Sequence, residues 1–147
     1  MGAPYWDPEV RGTIVGITRG TNRARLVRAA LESVAYQSRD LLVSMENDFG
    51  SALPYIKADG GAAANSFLMQ FQADVLDRPV ILPEVNEVTA LGAAYLAGLK
   101  TGYWSDVKEV ERNWRRKREF RPEMAEGART RLLSGWDKAV GSARTFR

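Results

Sequence analysis

Two glycines and an asparagine carry the clearest chemical signal in this sequence. In Lys57-Ala58-Asp59-Gly60-Gly61-Ala62-Ala63-Ala64-Asn65-Ser66-Phe67 a short apolar run ends at Gly60 and Gly61, and a helical pattern follows. Residues without a Cβ let a ligand approach the backbone closely, and the free N–H groups of a new helix favour an anion. Asn65 falls four residues past Gly61, which predicts a position one turn into the helix with its carboxamide turned back over the glycines. A carboxamide both donates and accepts, so it suits an adenine edge, a ribose or a phosphate oxygen. Ala62, Ala63 and Ala64 keep the intervening wall low. Asp-Gly-Gly is also a common turn, so the stretch by itself fits a bare strand-to-helix connection as well as a nucleotide loop.

Little else in the chain offers reactive groups. There is no cysteine and no histidine, which removes disulfides, thiolate and imidazole metal sites, cysteine nucleophiles and Ser-His-Asp triads. Asp40, Asp48 and Asp74 lie in helical stretches that read as solvated faces, and none has a partner at useful spacing. Glu32 reads as a structural acceptor. No carboxylate stands out as a catalytic base, and no pair stands out for magnesium. Tyr5, Trp6 and Trp104 fit either a ligand pocket or, as expected here, anchors for irregular segments. Residues 115–118 form a basic run flanked by Glu109, Glu111 and Glu119. Arginines beside aromatics can bind single-stranded nucleic acid. The run is short and acid-flanked, however, and is expected to be a solvated edge with Trp114 and Phe120 packing inward. No nucleic-acid partner is expected.

The elements that would position the glycine loop follow from periodicity. Residues 1–11, rich in proline and aromatics, read as an extended connector. Residues 12–18 (GTIVGIT) are a β-branched run between glycines and predict a strand, with Gly16 marking close approach of a neighbouring backbone. Thr21 or Asn22 is the expected cap of a long helix over residues 23–48. Its apolar stripe, Leu26, Ala30, Val34, Leu41 and Met45 widened by Val27, Leu31, Ala35 and Leu42, predicts burial on more than one side. A strand at residues 55–58 feeds the glycines, and Phe67, Leu68, Phe71, Val75 and Leu76 repeat at helical spacing. Val80-Ile81-Leu82, between prolines, predicts a strand at or near a sheet edge. Residues 89–99 form a helix of small residues able to sit close to whatever it covers. Alternating strands and helices define an α/β core over residues 12–104 with parallel pairing. In such sheets ligands lie beyond the carboxyl ends of the strands, where the glycines fall. Residues 105–147 read as a basic segment and a last amphipathic helix.

The chain has 147 residues, 45% hydrophobic and 27% charged, with net charge +3. That is enough for one domain's core and compatible with an anionic ligand. No apolar run is long enough to span a membrane, and residues 1–7 lack the plan of a signal peptide, so a cytoplasmic location is expected.

Gly2-Ala3-Pro4-Tyr5-Trp6-Asp7-Pro8, GTIVGITRGT, ALESVAYQSRDLL, the glycine loop with Ala64-Asn65-Ser66-Phe67-Leu68-Met69-Gln70-Phe71-Gln72, and Glu87-Val88-Thr89-Ala90-Leu91-Gly92-Ala93-Ala94-Tyr95 resemble, in order, the FGGY carbohydrate kinases. The opening segment resembles their glycerol-phosphorylating branch. Arg23-Ala24-Arg25-Leu26 departs from the family's usual acidic, polar or histidine residue before the hydrophobic one. The resemblance implies part of a ribonuclease-H-like domain of the actin and sugar-kinase type, and only the C-terminal portion of the enzyme. It implies ATP as phosphoryl donor, glycerol held by a missing N-terminal part, and magnesium not liganded by these residues. Gly60, Gly61 and Asn65 match the family's adenosine-side positions, and no catalytic residue is present. The implied fragment is inactive alone, and the open edge of residues 12–18 predicts self-association or poor stability. The alternatives are a stand-alone adenine-nucleotide-binding or assembly module, or a kinase for another polyol or sugar.

Overall fold

A computed structural model describes residues 1–85 and 87–146. Its elements are α1 (Arg23–Phe49), β1 (Ile56–Lys57), a 3-10 turn (Gly61–Ala64), α2 (Ser66–Leu76), β2 (Val80–Pro83), α3 (Val88–Thr101), α4 (Val107–Glu111), β3 (Arg116–Phe120) and α5 (Glu126–Ala143). Local chemistry sets the ends of α1. Asn22 Oδ1 accepts the Arg25 N–H at 3.1 Å, and Gly50, at φ +75°, closes the helix by donating to the Glu46 carbonyl. This is a side-chain N-cap and a left-handed glycine C-cap.

The sheet has the order β1-β2-β3. β1 and β2 run parallel with α2 as the crossover, as the alternation of elements predicts. β3, drawn from the basic segment, pairs antiparallel with β2, Val80 opposite Phe120. β2 is therefore central, not at an edge, and Val80 is fully buried. Its prolines are accommodated at the ends. Pro79 offers only its carbonyl, to the Ile56 N–H at 2.9 Å, and Pro83 falls at a break in register. A proline at a strand end or irregularity forfeits no ladder hydrogen bond.

Three further expectations are corrected. Residues 12–18 form no strand. Their backbone has no ladder partner among the described residues, and Ile14 and Ile17 are 65% and 63% exposed. A strand exists only as half of a pair, so β propensity alone leaves an uncovered run. Gly16 has open space where a Cβ would stand, and its requirement is a φ of +78°, not close approach. The stripe of α1 is buried on one side only: Ala35, Tyr36 and Leu42 are in the core, whereas Val27, Leu41 and Met45 are exposed. By contrast, the close approach expected of the small residues of α3 is met, although the helix carries no buried residue. Its small-residue face is approached by the indole of Trp104, which lies where a Cβ on Gly98 would be.

The core sits where α1, α2 and α5 meet above the sheet. Tyr36 stacks on Trp136 with centroids 5.2 Å apart and meets Phe71 edge-on at 5.5 Å. Trp136 Nε1 donates to Asp40 Oδ2 at 2.7 Å, so the indole packs with its polar edge satisfied. Burial, reinforced by nearby Glu32, pushes the Tyr36 hydroxyl up to about 12, so it stays neutral.

Candidate nucleotide-binding loop

The loop starts where the parallel pair ends. The Ala58 N–H donates to the Ile81 carbonyl at 3.0 Å, after which the chain turns at Gly60, with φ +82° and ψ −179°. That combination is open to glycine almost alone, and another residue there costs about 1–3 kcal/mol. The Gly60 carbonyl accepts the Ala63 N–H at 3.1 Å and starts the 3-10 turn. Nothing lies within 4 Å of where a Cβ would stand on Gly60 or Gly61, so the backbone faces open space. Ala62 and Ala64 are exposed and Ala63 is buried, which keeps the wall low.

Asn65 is not one turn inside the helix. The 3-10 turn intervenes, and Asn65 is the N-cap of α2, its Oδ1 accepting the Leu68 N–H at 3.1 Å. The difference narrows its chemistry. The oxygen is committed to the helix, and among the described residues Nδ2 makes no hydrogen bond, so toward a ligand Asn65 is a donor. The capping preference of asparagine was a signal available in Asn65-Ser66-Phe67-Leu68.

Two arginines, Arg118 and Arg28, touch residues of the first turn of α2. Arg118 Nη1 on β3 donates to Ser66 Oγ at 3.0 Å. The Lys57 Nζ lies 4.1 Å from the Trp114 ring centre, and the Arg28 guanidinium 5.3 Å from that of Phe67. Beside the first turn of α2, residues Arg23, Ala24, Val27, Arg28, Leu31 and Phe67 line an open concavity of about 640 Å³. A helix N-terminus by itself favours an anion. Ser66 and Arg118 had no signal of this role in the sequence.

The carboxylates lie elsewhere. Glu32 accepts from Arg28 at 2.6 Å, the structural part expected of it. Asp40 takes the Trp136 indole and Arg39. Asp74, predicted on a solvated face, is only 8% exposed. Its Oδ1 accepts from Gln70 Nε2 (3.1 Å), Glu123 N–H (2.7 Å) and Met124 N–H (3.2 Å), because the 121–124 segment folds over α2. Among the described residues, no group of three or more acidic side chains is placed to hold a metal ion. The basic run is the edge strand β3. Glu119 pairs with Arg116 and with Arg121, and Phe120 is buried. Trp114 is 36% exposed beneath Lys57 rather than packed inward. Tyr5 lies under the Arg144 guanidinium, and Trp6 is 73% exposed. Both border a groove of about 770 Å³ against α1 and α5, apart from the glycine loop.

A parallel β1–α2–β2 unit with a glycine turn at the strand ends makes the core an α/β one. Residues 1–101 match the FGGY family of carbohydrate kinases, C-terminal domain, and the chain belongs to that family. It is 58% identical to the glycerol kinase of Petrotoga mobilis, covering 99% of this chain and 29% of that protein. Among solved structures it superposes on Plasmodium falciparum glycerol kinase with ADP at a TM-score of 0.84 and 35% identity, covering 96% of this chain and 28% of that one. The corresponding values for xylulose kinase from Rhodospirillum rubrum are 0.77, 30%, 95% and 29%. The chain thus spans less than a third of the length of the relatives it matches. No helix among the described residues is long and apolar enough to cross a membrane.

Proposed function

We propose that this chain is the nucleotide-binding C-terminal portion of a cytoplasmic glycerol kinase, which transfers the γ-phosphoryl group of ATP to a terminal hydroxyl of glycerol. The observation that carries the reading is the loop itself. Open backbone at Gly60 and Gly61, the N-terminus of α2 and a free Asn65 Nδ2 converge at the carboxyl end of the parallel strands. Likeness to a glycerol kinase solved with ADP supports it. On this reading the glycines let the nucleotide approach the backbone, Asn65 donates to an acceptor of the adenosine, and the chain forms one wall of the cleft. The base that takes the glycerol proton, the glycerol site and the magnesium site lie outside these residues.

Calorimetry with ADP tests the loop. Gly61→Val, which fills open space in front of the backbone, is expected to weaken binding about 3- to 10-fold with the fold retained. Asn65→Asp keeps an oxygen to cap α2 but removes the donor, so it is expected to preserve the melting temperature and lose affinity to a similar extent. Unchanged affinity in both would overturn the assignment. With ATP, magnesium and glycerol the chain is expected to form no glycerol 3-phosphate, and robust turnover would contradict the placement of the chemistry elsewhere.

Self-association belongs to the same reading, supported by the uncovered Ile14, Val15 and Ile17. Sedimentation velocity is expected to show dimers or larger species that Ile14→Lys with Ile17→Lys returns to monomer. A monodisperse parent chain would rule it out.

A further inference from the structure

Ser66, Gln70 and Asp74 stand at i, i+4 and i+8 of α2, so they share one face of the helix. The chain from Arg118 to Met124 runs along that face and bonds to all three. Arg118 Nη1 donates to Ser66 Oγ at 3.0 Å, and Gln70 Nε2 donates to the Arg121 carbonyl at 2.7 Å. Asp74 Oδ1 accepts the Glu123 and Met124 N–H groups at 2.7 and 3.2 Å. Gln70 Nε2 also reaches Asp74 Oδ1 at 3.1 Å, joining two of the rungs. The strip is held from behind. Phe120 is 4% exposed and pairs with Val80 across the sheet, and the Arg118 guanidinium lies 4.3 Å from the Phe120 ring centre.

Three rungs at four-residue spacing fix the rotation of α2 about its own axis. A slip of one residue turns a helix by about 100° and would break all of them together. The last rung acts on Ser66, the residue directly after Asn65. We propose that residues 118–124 are a clamp that positions the nucleotide loop, and that Arg118 is its positioning residue. The inference rests on the reading that Asn65 meets the nucleotide. Arg118 and Ser66 are exposed, so their bond adds little to global stability. Its effect is local: it restrains opening of the first turn of α2, where Asn65 must hold the Leu68 N–H and present Nδ2 at once.

The test compares Arg118→Gln, Ser66→Ala and the double variant in this chain, by ADP calorimetry and by amide hydrogen exchange at Leu68. The clamp predicts that each single change weakens ADP about 3- to 10-fold and speeds Leu68 exchange by a similar factor. It also predicts that the double variant is no worse than the worse single one, with the melting temperature unmoved. Loss of affinity in Arg118→Gln but not in Ser66→Ala would overturn it, because Arg118 would then act on the ligand itself. Additive losses, or Leu68 exchange at the parent rate in every variant, would overturn it too. Should the parent chain take up no ADP, the nucleotide reading fails, while Leu68 exchange in the three variants still decides the clamp.

Discussion

Phe71→Ala is expected to lower the unfolding free energy by about 3–5 kcal/mol. Phe71 is 5% exposed and stands at the centre of the helical layer. The Tyr36 ring meets it edge-on at 5.5 Å, and the Phe67 ring lies 5.9 Å away with planes 14° apart. Truncation removes the ring's transfer free energy and leaves a void that Tyr36 cannot fill, because Trp136 stacks on its other side and is tied to Asp40. A domain of this size has about 5–15 kcal/mol in total, so the variant should carry a measurable unfolded population at room temperature. Urea denaturation followed by tryptophan fluorescence reads the loss directly. Phe71→Leu, which retains most of the volume, should lose clearly less. A cost below about 1 kcal/mol for alanine would mean that the α1–α2–α5 layer is not packed as described.

Asp74→Ala is expected to cost about 2–4 kcal/mol, by a different mechanism. The carboxylate is buried and serves three donors, two of them backbone N–H groups 49 and 50 residues away. Alanine leaves those N–H groups without an acceptor as the segment passes over α2, and removes the tie that brings the chain back toward α5. Asp74→Asn keeps an oxygen where Oδ1 stands, exchanges Oδ2 for an NH2 group and loses the charge, so it should cost about 1 kcal/mol. Amide exchange locates the effect. Glu123 and Met124 should lose protection in the alanine variant far more than in the asparagine one. Equal stability of the two variants would show that the carboxylate is not the acceptor holding this segment.

These two residues mark the limits of what the chain of letters shows. Phe71 was legible, because helical repetition of Phe67, Leu68, Phe71, Val75 and Leu76 identifies a core face without knowledge of what covers it. Asp74 was not. It reads as one acid among polar neighbours, and only the return of residues 121–124 turns a solvated position into a buried acceptor. The same holds for β2, which proline marks as an edge until β3 arrives on its open side. It also holds for residues 12–18, whose β-branched pattern predicts a strand that no described neighbour completes.

The glycine loop divides along the same line. By itself the sequence determined that a strand ends at two glycines, that a helix follows, that the core alternates strand and helix, and that α1 is capped at Thr21 or Asn22, of which the structure uses Asn22. It also determined the resemblance to FGGY carbohydrate kinases. These features depend on backbone conformations and hydrogen bonds made within a few residues, so local residue types encode them. The tertiary structure decided that Gly60 takes an extended conformation at positive φ, that a 3-10 turn sets Asn65 at the cap with only its Nδ2 free, and that Arg118 arrives beside Ser66. The first two follow from how β1 must hand the chain to α2. The third joins residues 52 apart in sequence, and only the burial of Phe120 and the pairing of β3 with β2 bring them together.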